Sequence, residues 1–455
     1  MLQETRVDRL LRPFAKVSAG EGVIAVLMML CVFLILTSYY VMKTAREGLI
    51  LSDGAFGLDG EELKTYATGV MAVLLLGVVP AYGALANRVR RIRLINLCYA
   101  LVMASLFGFF VAGTAGLPVG LPFFVWLGLV SIFLISQFWS YANDLYTEEQ
   151  GKRLFAIIAI GGSAGAIVGP KLTKLADTYA MMLVAAGILV GSVVLFNLIE
   201  RLHVAQQKDK GSEHGSESVA AEPISGAGGF SLVLRDNYLL LIAGMLVIAN
   251  LVNTTGEYIL STAASDYAAQ LGATEGDAKR EAIKAFYADF FFWVNLIGFL
   301  VQAFLVSRII KYVGVRRSLF ALPLIAFLAY GMIGIVGGFA LIRLAKIGEN
   351  ATDYSLQNTV RQALFLPTDR ATKYKAKAAI DTFFVRGGDM LAALVIWAGL
   401  HLLGAGAREF AFVNVVLVLG WVAFAVGIAR KHREISPDDG GEKAPAKRET
   451  VEASA

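Results

Sequence analysis

The chain has 455 residues, of which 57% are hydrophobic and only 17% charged, with a mean hydropathy of +0.63. Soluble domains carry nearer a quarter charged residues, so a water-soluble enzyme is excluded and a polytopic membrane protein is indicated. The net charge of +5 follows from basic loops and does not point to nucleic acid, and two cysteines with four scattered histidines offer neither a disulfide framework nor a metal site.

About 20 apolar helical residues are needed to cross the hydrocarbon of a bilayer. In chain order, the runs 22–42 and 65–87 supply spans one and two. The run from Leu94 to Asn143 is too long for one crossing and divides at Gly116–Pro122 into spans three and four. Leu154–Pro170 is a shorter fifth span and 178–199 the sixth. The glycines of the fifth, Gly161, Gly165 and Gly169, make two small-xxx-small steps, which point to close helix packing. The stretch 203–229, HVAQQKDKGSEHGSESVAAEPISGAGG, is polar, Gly/Ser-rich and aperiodic, as in a flexible linker. Spans seven to nine lie at 237–256, 290–307 and 318–342; the charged stretch 343–362 counts as the tenth, and 381–403 and 410–429 are the last two. The expected fold is all-α: twelve transmembrane helices in two six-helix bundles, 1–200 and 237–430. A cytoplasmic linker at 201–236 joins them, and a disordered cytoplasmic tail occupies 431–455.

Loops on the side of the N-terminus, including 88–93, 144–153, 200–236, 308–317 and 362–380, hold 22 lysines and arginines, against 9 on the other side. Both termini are therefore expected in the cytoplasm, with the protein in the cell's inner membrane. The first apolar run is too long for a signal peptide and no small-residue cleavage site comes after it, so it is expected to remain.

The halves resemble each other. Basic turns come after span two (GALANRVRRIRLI, 83–95) and span eight (VSRIIKYVGVRRSLF, 306–320). SYANDLY (140–146) and SLQNTVR (355–361) align Ser140 with Ser355 and Asn143 with Asn358. Such repeats are the layout of carriers whose halves rock about a central site. GALANRVRR also resembles the loop signature of the major facilitator superfamily, Gly-x-x-x-Asp-Arg-x-Gly-Arg-Arg/Lys. Gly83, Arg88 and Arg91 match it; Asn87 and Arg90 depart from it.

The tenth span, RLAKIGENATDYSLQNTVRQ, is the chemical centre of the sequence. On a helix, Arg343, Lys346, Asn350, Asp353, Gln357 and Arg361 share a stripe about 80° wide and roughly 27 Å long, with Glu349 on its flank. Five charges facing lipid would cost on the order of 12–17 kcal/mol, so the stripe must meet protein or water. Three arrangements satisfy that: a helix outside the membrane, a structural ion-pair network, or the wall of an aqueous path. In TSYYVMKTAREGL, Tyr39, Lys43 and Arg46 lie within about 60° of each other with Glu47 adjacent. These are either charges at the outer end of span one or cavity residues. Asn250, Asn253 and Glu257 share a face of span seven, and Asp381, Arg386 and Asp389 lie in span eleven. No phosphate-binding G-x-x-x-x-G-K-[ST] loop is present, nor any recognisable nucleophile or acid/base pair, so gradient-driven transport is favoured over an enzyme.

Three segments, YYVMKTAREGL, FWSYANDLYTEEQGKRLFAIIAIGGSAGAIVG and GENATDYSLQNTVRQALFLPTDRATKYKAKAAIDTFFVRGGD, resemble the ATP/ADP translocase family of plastids and intracellular bacteria. The resemblance covers most of both halves. It implies a twelve-span, major-facilitator-like carrier that exchanges nucleotides or related anions without hydrolysing them. It also implies transport roles for Lys43, Glu257 and the charges of spans ten and eleven. Where nucleotide-exchanging members place lysines after the span-seven glutamate, this chain reads EYILSTAASDY.

The reading that emerges is a secondary transporter with a central cavity lined by spans one, four, seven, ten and eleven. Lys43, Arg46, Arg343, Lys346 and Arg386 are the cations expected to face a small organic anion, with ATP or ADP one candidate. Glu257, Asp353 and Asp389 are expected as counter-ions or proton carriers, and Asn143, Asn350 and Asn358 as hydrogen-bonding groups. No cofactor is expected, the partners being solute and lipid, and a monomer suffices. The alternative is a non-transporting scaffold or sensor in which the stripe is a fixed ion-pair network.

Overall fold

The computed structural model describes Ser18 and residues 21–86, 91–209, 229–368 and 372–436. The four basic residues ahead of span one, positions 87–90 of the loop signature, the centre of the linker and the tail beyond Ser436 lie outside the described residues. Within them, regular structure is helical apart from an isolated bridge between Ala55 and Leu58. The long helices are α1 (Gly22–Ser52), α2 (Gly60–Ala86), α3 (Arg91–Thr114), α4 (Gly120–Leu145), α5 (Glu148–Leu172), α6 (Ala180–Asp209) and α7 (Asn237–Gln270). They continue with α8 (Gly276–Leu300), α9 (Ala321–Ile335), α10 (Phe339–Thr352), α11 (Val385–Leu403) and α12 (Ala407–Ile435). A short helix, Gly229–Arg235, precedes α7. Helices are continued by π-helical turns in three places: α8 through Val301–Val306 to Val313, α10 through Asp353–Gln357 to Ala363, and ahead of α11 at Thr372–Ala376 and Ile380–Phe384. Ten of the twelve, all but α2 and α10, are long and apolar enough to cross a membrane.

The expected break after span three is present. Gly116 adopts the left-handed region at φ 82°, and the amides of Gly116 and Leu117 turn back to the carbonyls of Gly113 and Ala112. Several helices outrun their apolar runs: α1 extends past Met42 to Ser52, α7 past Gly256 to Gln270, and α8 begins at Gly276. One face of each added turn is buried against other helices, as at Glu47, Ser261 and Lys284, while Asp266 and Asp277 are exposed.

Two hydrophobic cores form. One gathers Met28, Tyr99, Phe123, Phe138 and Phe196 from α1, α3, α4 and α6. The other gathers Tyr238, Tyr287, Tyr330, Phe410 and Trp421 from α7, α8, α9 and α12, and reaches across to Ile50, Leu51 and Leu63 at one end of α1 and α2. Helix α5 lies along α1. A Cβ at Gly161, Gly165 or Gly169 would press into the backbone carbonyl of Met29, Phe33 or Thr37 respectively, so the glycine stripe is the condition of that approach. Across the seam between the cores, α1 and α5 pack on α8, and α2 packs on α11.

Candidate functional site

At the seam, charged side chains form one connected chain. Arg46 and Glu47 of α1 are hydrogen-bonded neighbours, and Glu47 accepts Lys64 of α2 at 2.8 Å. Lys64 also donates to Ser261 of α7 at 2.9 Å and lies 3.9 Å from Glu257. Lys346 of α10 lies 3.5 Å from Glu257 and 3.0 Å from Glu349, and donates to Asn253 at 3.3 Å. Asn350 donates to Glu257 at 3.1 Å, and Tyr330 of α9 donates to Glu349 at 2.7 Å. Gly256 lets α7 come close enough, since a Cβ there would meet the Tyr330 hydroxyl and stand 3.0 Å from the Lys346 Nζ.

Lys346 is fully buried and Glu47 is 1% exposed. Helix α10 is therefore packed into the protein interior at Lys346, Glu349 and Asn350. The network holds Arg46, Lys64 and Lys346 against Glu47, Glu257 and Glu349, so its charges balance. Each charge is tolerated because its partner is present, and removing one strands the other in a medium that solvates it poorly.

A second cluster lies beside it. Asp389 of α11 accepts Asn250 at 2.6 Å, Thr254 at 2.8 Å and Arg386 at 3.0 Å. Arg46, Lys346 and Arg386 are therefore all committed to carboxylates, which removes the surplus of free cations that a count along the sequence suggests. Lys43 differs. Its ammonium stands 4.4 Å from the Phe291 ring centroid, 5.3 Å from that of Tyr40 and 6.0 Å from that of Tyr354, with no carboxylate partner among the described residues. Arg343 likewise lies over Phe286, 5.8 Å from its centroid.

A cavity of about 430 Å³ adjoins the network, within the size range of small-molecule sites. Its wall includes Asn250, Asn253, Asp353, Tyr354, Gln357 and Trp421, from α7, α10 and α12, with further residues of α9 and α11. Spans one and four, expected on its wall, are not among its lining helices. Asn358 lines it and is exposed, accepting Arg361 at 3.1 Å. Asn143, its repeat-related counterpart, is exposed near the end of α4, beside the Arg91–Asp144 pair, and away from both network and cavity.

Lys64, Glu349, Tyr330 and Gln357 are the residues a reading by apolar runs leaves out of the site. Lys64 sits in EELK just before the second run and looks like a loop charge, yet α2 already begins at Gly60. Gln357 is on the projected stripe; its polarity in a span is the available signal.

Toward the end that carries Asp53, further contacts close the seam: Lys171 and Lys174 on Asp289, Thr178 on Glu281, Lys284 on the Ala176 carbonyl, Arg280 on Asp53 and His401 on Glu62.

These features define a multi-pass helical membrane protein with a charged seam between two packed cores. Residues 22–371 match the profile of the Major Facilitator Superfamily, and the chain belongs to that family. It is similar to "ADP,ATP carrier protein 1" of Chlamydia pneumoniae, 22% identical over 371 residues that span 68% of each chain. Its fold is similar to the crystal structure of nucleoside transporter NupG, with a TM-score of 0.58 and 13% identity over 90% of this chain and 98% of that one. It is also similar to a POT family transporter in complex with a thioalcohol conjugated peptide, with a TM-score of 0.61 and 15% identity over 90% and 96%.

Proposed function

We propose that the protein is a secondary carrier that moves a small organic anion by alternating access, with nucleotides such as ATP and ADP the first candidates. The observation that carries this reading is Lys43, a cation held among aromatic rings without a carboxylate among the described residues, 6.0 Å from the ring of Tyr354, which lines the cavity that the charge network flanks. An ammonium so placed retains its attraction for an anion, whereas Arg46, Lys346 and Arg386 are already neutralised. The similarity to carriers named for ADP and ATP supports the same substrate class.

In this reading α2 and α10 complete twelve spans in two six-helix repeats, and the single chain is the working unit. The lysine and arginine bias supports both termini in the cytoplasm and the protein in the inner membrane. The Asp53 end is then the outer, closed one, and the cavity opens inward.

The test is uptake by proteoliposomes of labelled ATP, ADP, other nucleotides, phosphate and small carboxylates, with and without internal counter-substrate. A nucleotide taken up faster against internal nucleotide establishes exchange, and Lys43→Gln should reduce that uptake at least about tenfold, as expected when one charge-assisted contact is lost from an anion site. Uptake of none of the panel defeats the reading. The balanced charges of the network favour one other possibility, a scaffold with a fixed network. Cysteines placed at 353 and 357 separate the two, reacting with a water-soluble thiol reagent in a carrier and resisting it in a dry scaffold.

A further inference from the structure

We infer that the cavity between α7, α10 and α12 holds the uncharged, planar, hydrogen-bonding part of the solute, and that Gln357 is the residue that reads it. The inference rests on the carrier reading above and adds a specificity residue to it.

Gln357 is 4% exposed, lines the cavity, and has no hydrogen-bond partner for either carboxamide atom among the described residues. Trp421, 2% exposed on the same wall, has an indole Nε1 equally without a partner. Buried polar groups are satisfied in most proteins, and an exception beside a cavity can be completed by water or by a solute that enters it.

The other polar groups of the wall are mostly engaged. Asn253 accepts Lys346 at 3.3 Å, Asn250 donates to the Val385 carbonyl at 2.8 Å and to Asp389 at 2.6 Å, and Glu349 holds Lys346 and Tyr330. Asp353 and Arg361 add one charge of each sign. What remains for a guest is the Gln357 carboxamide, the Trp421 indole N–H, the Tyr354 phenol and the amide nitrogens of Asn253 and Asn358, on a wall where Asp353 and Arg361 balance. A phosphate finds no surplus of cations there.

A carboxamide forms two parallel hydrogen bonds with any planar edge that sets a donor beside an acceptor. The amino and ring-nitrogen edge of a heterocyclic base is such an edge, and glutamine and asparagine read adenine in this manner elsewhere. Tyr354 and Trp421 supply aromatic surface for the faces of such a ring. The anionic end of the same solute is then directed toward Lys43, whose ammonium lies 6.0 Å from the Tyr354 ring. Each half of the protein thereby takes one chemical part of the solute.

The experiment measures binding to the purified full-length protein in nanodiscs by calorimetry. The probes are ATP, purine riboside triphosphate, which lacks the exocyclic amino group, adenosine and inorganic triphosphate. Wild type should prefer ATP to purine riboside triphosphate by at least about tenfold, since a site built to hydrogen-bond a group rejects the analogue lacking it. Gln357→Leu should bring that ratio to within about twofold. Should that variant not fold, Trp421→Phe keeps an aromatic ring, removes the N–H and should narrow the ratio in the same direction. An unchanged ratio in a folded variant overturns the role of Gln357 while leaving the carrier reading intact. Adenosine bound in a Gln357-dependent manner, without binding of ATP or triphosphate, preserves the base site and defeats the anion reading. Binding of triphosphate and ATP with equal affinity supports an anion carrier and overturns the base site, and binding of no probe overturns both.

Discussion

Lys346 shows how a single residue can be both central and structural. Its ammonium is enclosed by Glu257, Glu349 and Asn253 and has no exposed surface, so removing it strands two carboxylates in the interior. Breaking a buried pair by deleting one partner costs about 3–5 kcal/mol, more than most single contacts contribute. Lys346→Ala should therefore lower the melting temperature of the purified protein clearly. Lys43→Gln, whose ammonium has aromatic neighbours and no carboxylate among the described residues, should leave it nearly unchanged while impairing transport. Equal melting temperatures for the two variants would show that Lys346 lacks the network's support. The sequence identifies Lys346 and Glu257 as charges that need partners inside the protein, because charge inside a span is rarely placed there without one. It does not reveal that Lys64 completes the network, because pairing across the seam joins residues far apart in the chain and leaves no local pattern.

Elements carry the next level of explanation. The projection that gathers six polar groups on one stripe assumes an unbroken α-helix from Arg343 to Arg361. A π-helical turn at Asp353–Gln357 inserts an extra residue into the ladder and rotates the residues beyond it, so Arg361 turns from Arg343 and hydrogen-bonds Asn358 at the cavity rim. Periodicity cannot signal a π turn, yet Asp353, Gln357 and Arg361 still line one cavity, while Lys346, in the regular part of α10, is buried in the network. The α5 glycines are legible for a simpler reason: small residues four apart in an apolar run define a packing face wherever they fall. Gly165→Val should force α5 off the Phe33 carbonyl of α1 and lower the melting temperature, whereas Gly187→Val, whose Cβ meets open space, should not. Where α5 begins, Arg153, Gln150 and the Ser18 amide all donate to Glu21. Burial pushes the Glu21 carboxyl up, but these hydrogen bonds outweigh it and hold the group below the ordinary carboxylate value of 4.5. A carboxylate depressed in the folded state contributes stability above its unfolded pKa and loses it as pH falls through the folded one. The melting temperature should thus fall below about pH 4.5, and by less in Glu21→Gln; parallel pH profiles would rule this contribution out.

For the molecule as a whole, the question is how a seam can be closed and still open. The contacts of Lys171 and Lys174 with Asp289 are made by side chains 31–41% exposed, and surface pairs of that kind contribute about 0–1 kcal/mol each. The buried network also crosses the seam, at its longest ion-pair contact, Lys64 to Glu257 at 3.9 Å. Parting there leaves Lys64 on Glu47 at 2.8 Å and Glu257 on Lys346 at 3.5 Å, so every charge keeps a partner on its own side. The piece with Arg46, Glu47 and Lys64 then carries one net positive charge and the piece with Glu257, Lys346 and Glu349 one net negative charge. In the proposed carrier, their attraction would draw the Asp53 end closed without locking it, as two alternating states require. Glu257→Gln removes the negative surplus while preserving an acceptor for Asn350. Loss of even about 1.4 kcal/mol of attraction changes the ratio of closed to open states tenfold. A cysteine replacing Ser261, which is buried at the closed seam, should then label about tenfold faster with a membrane-impermeant thiol reagent in Glu257→Gln than in the otherwise unaltered chain. Equal labelling rates would show that the exposed pairs at the Asp53 end, and not the central charges, hold that end together.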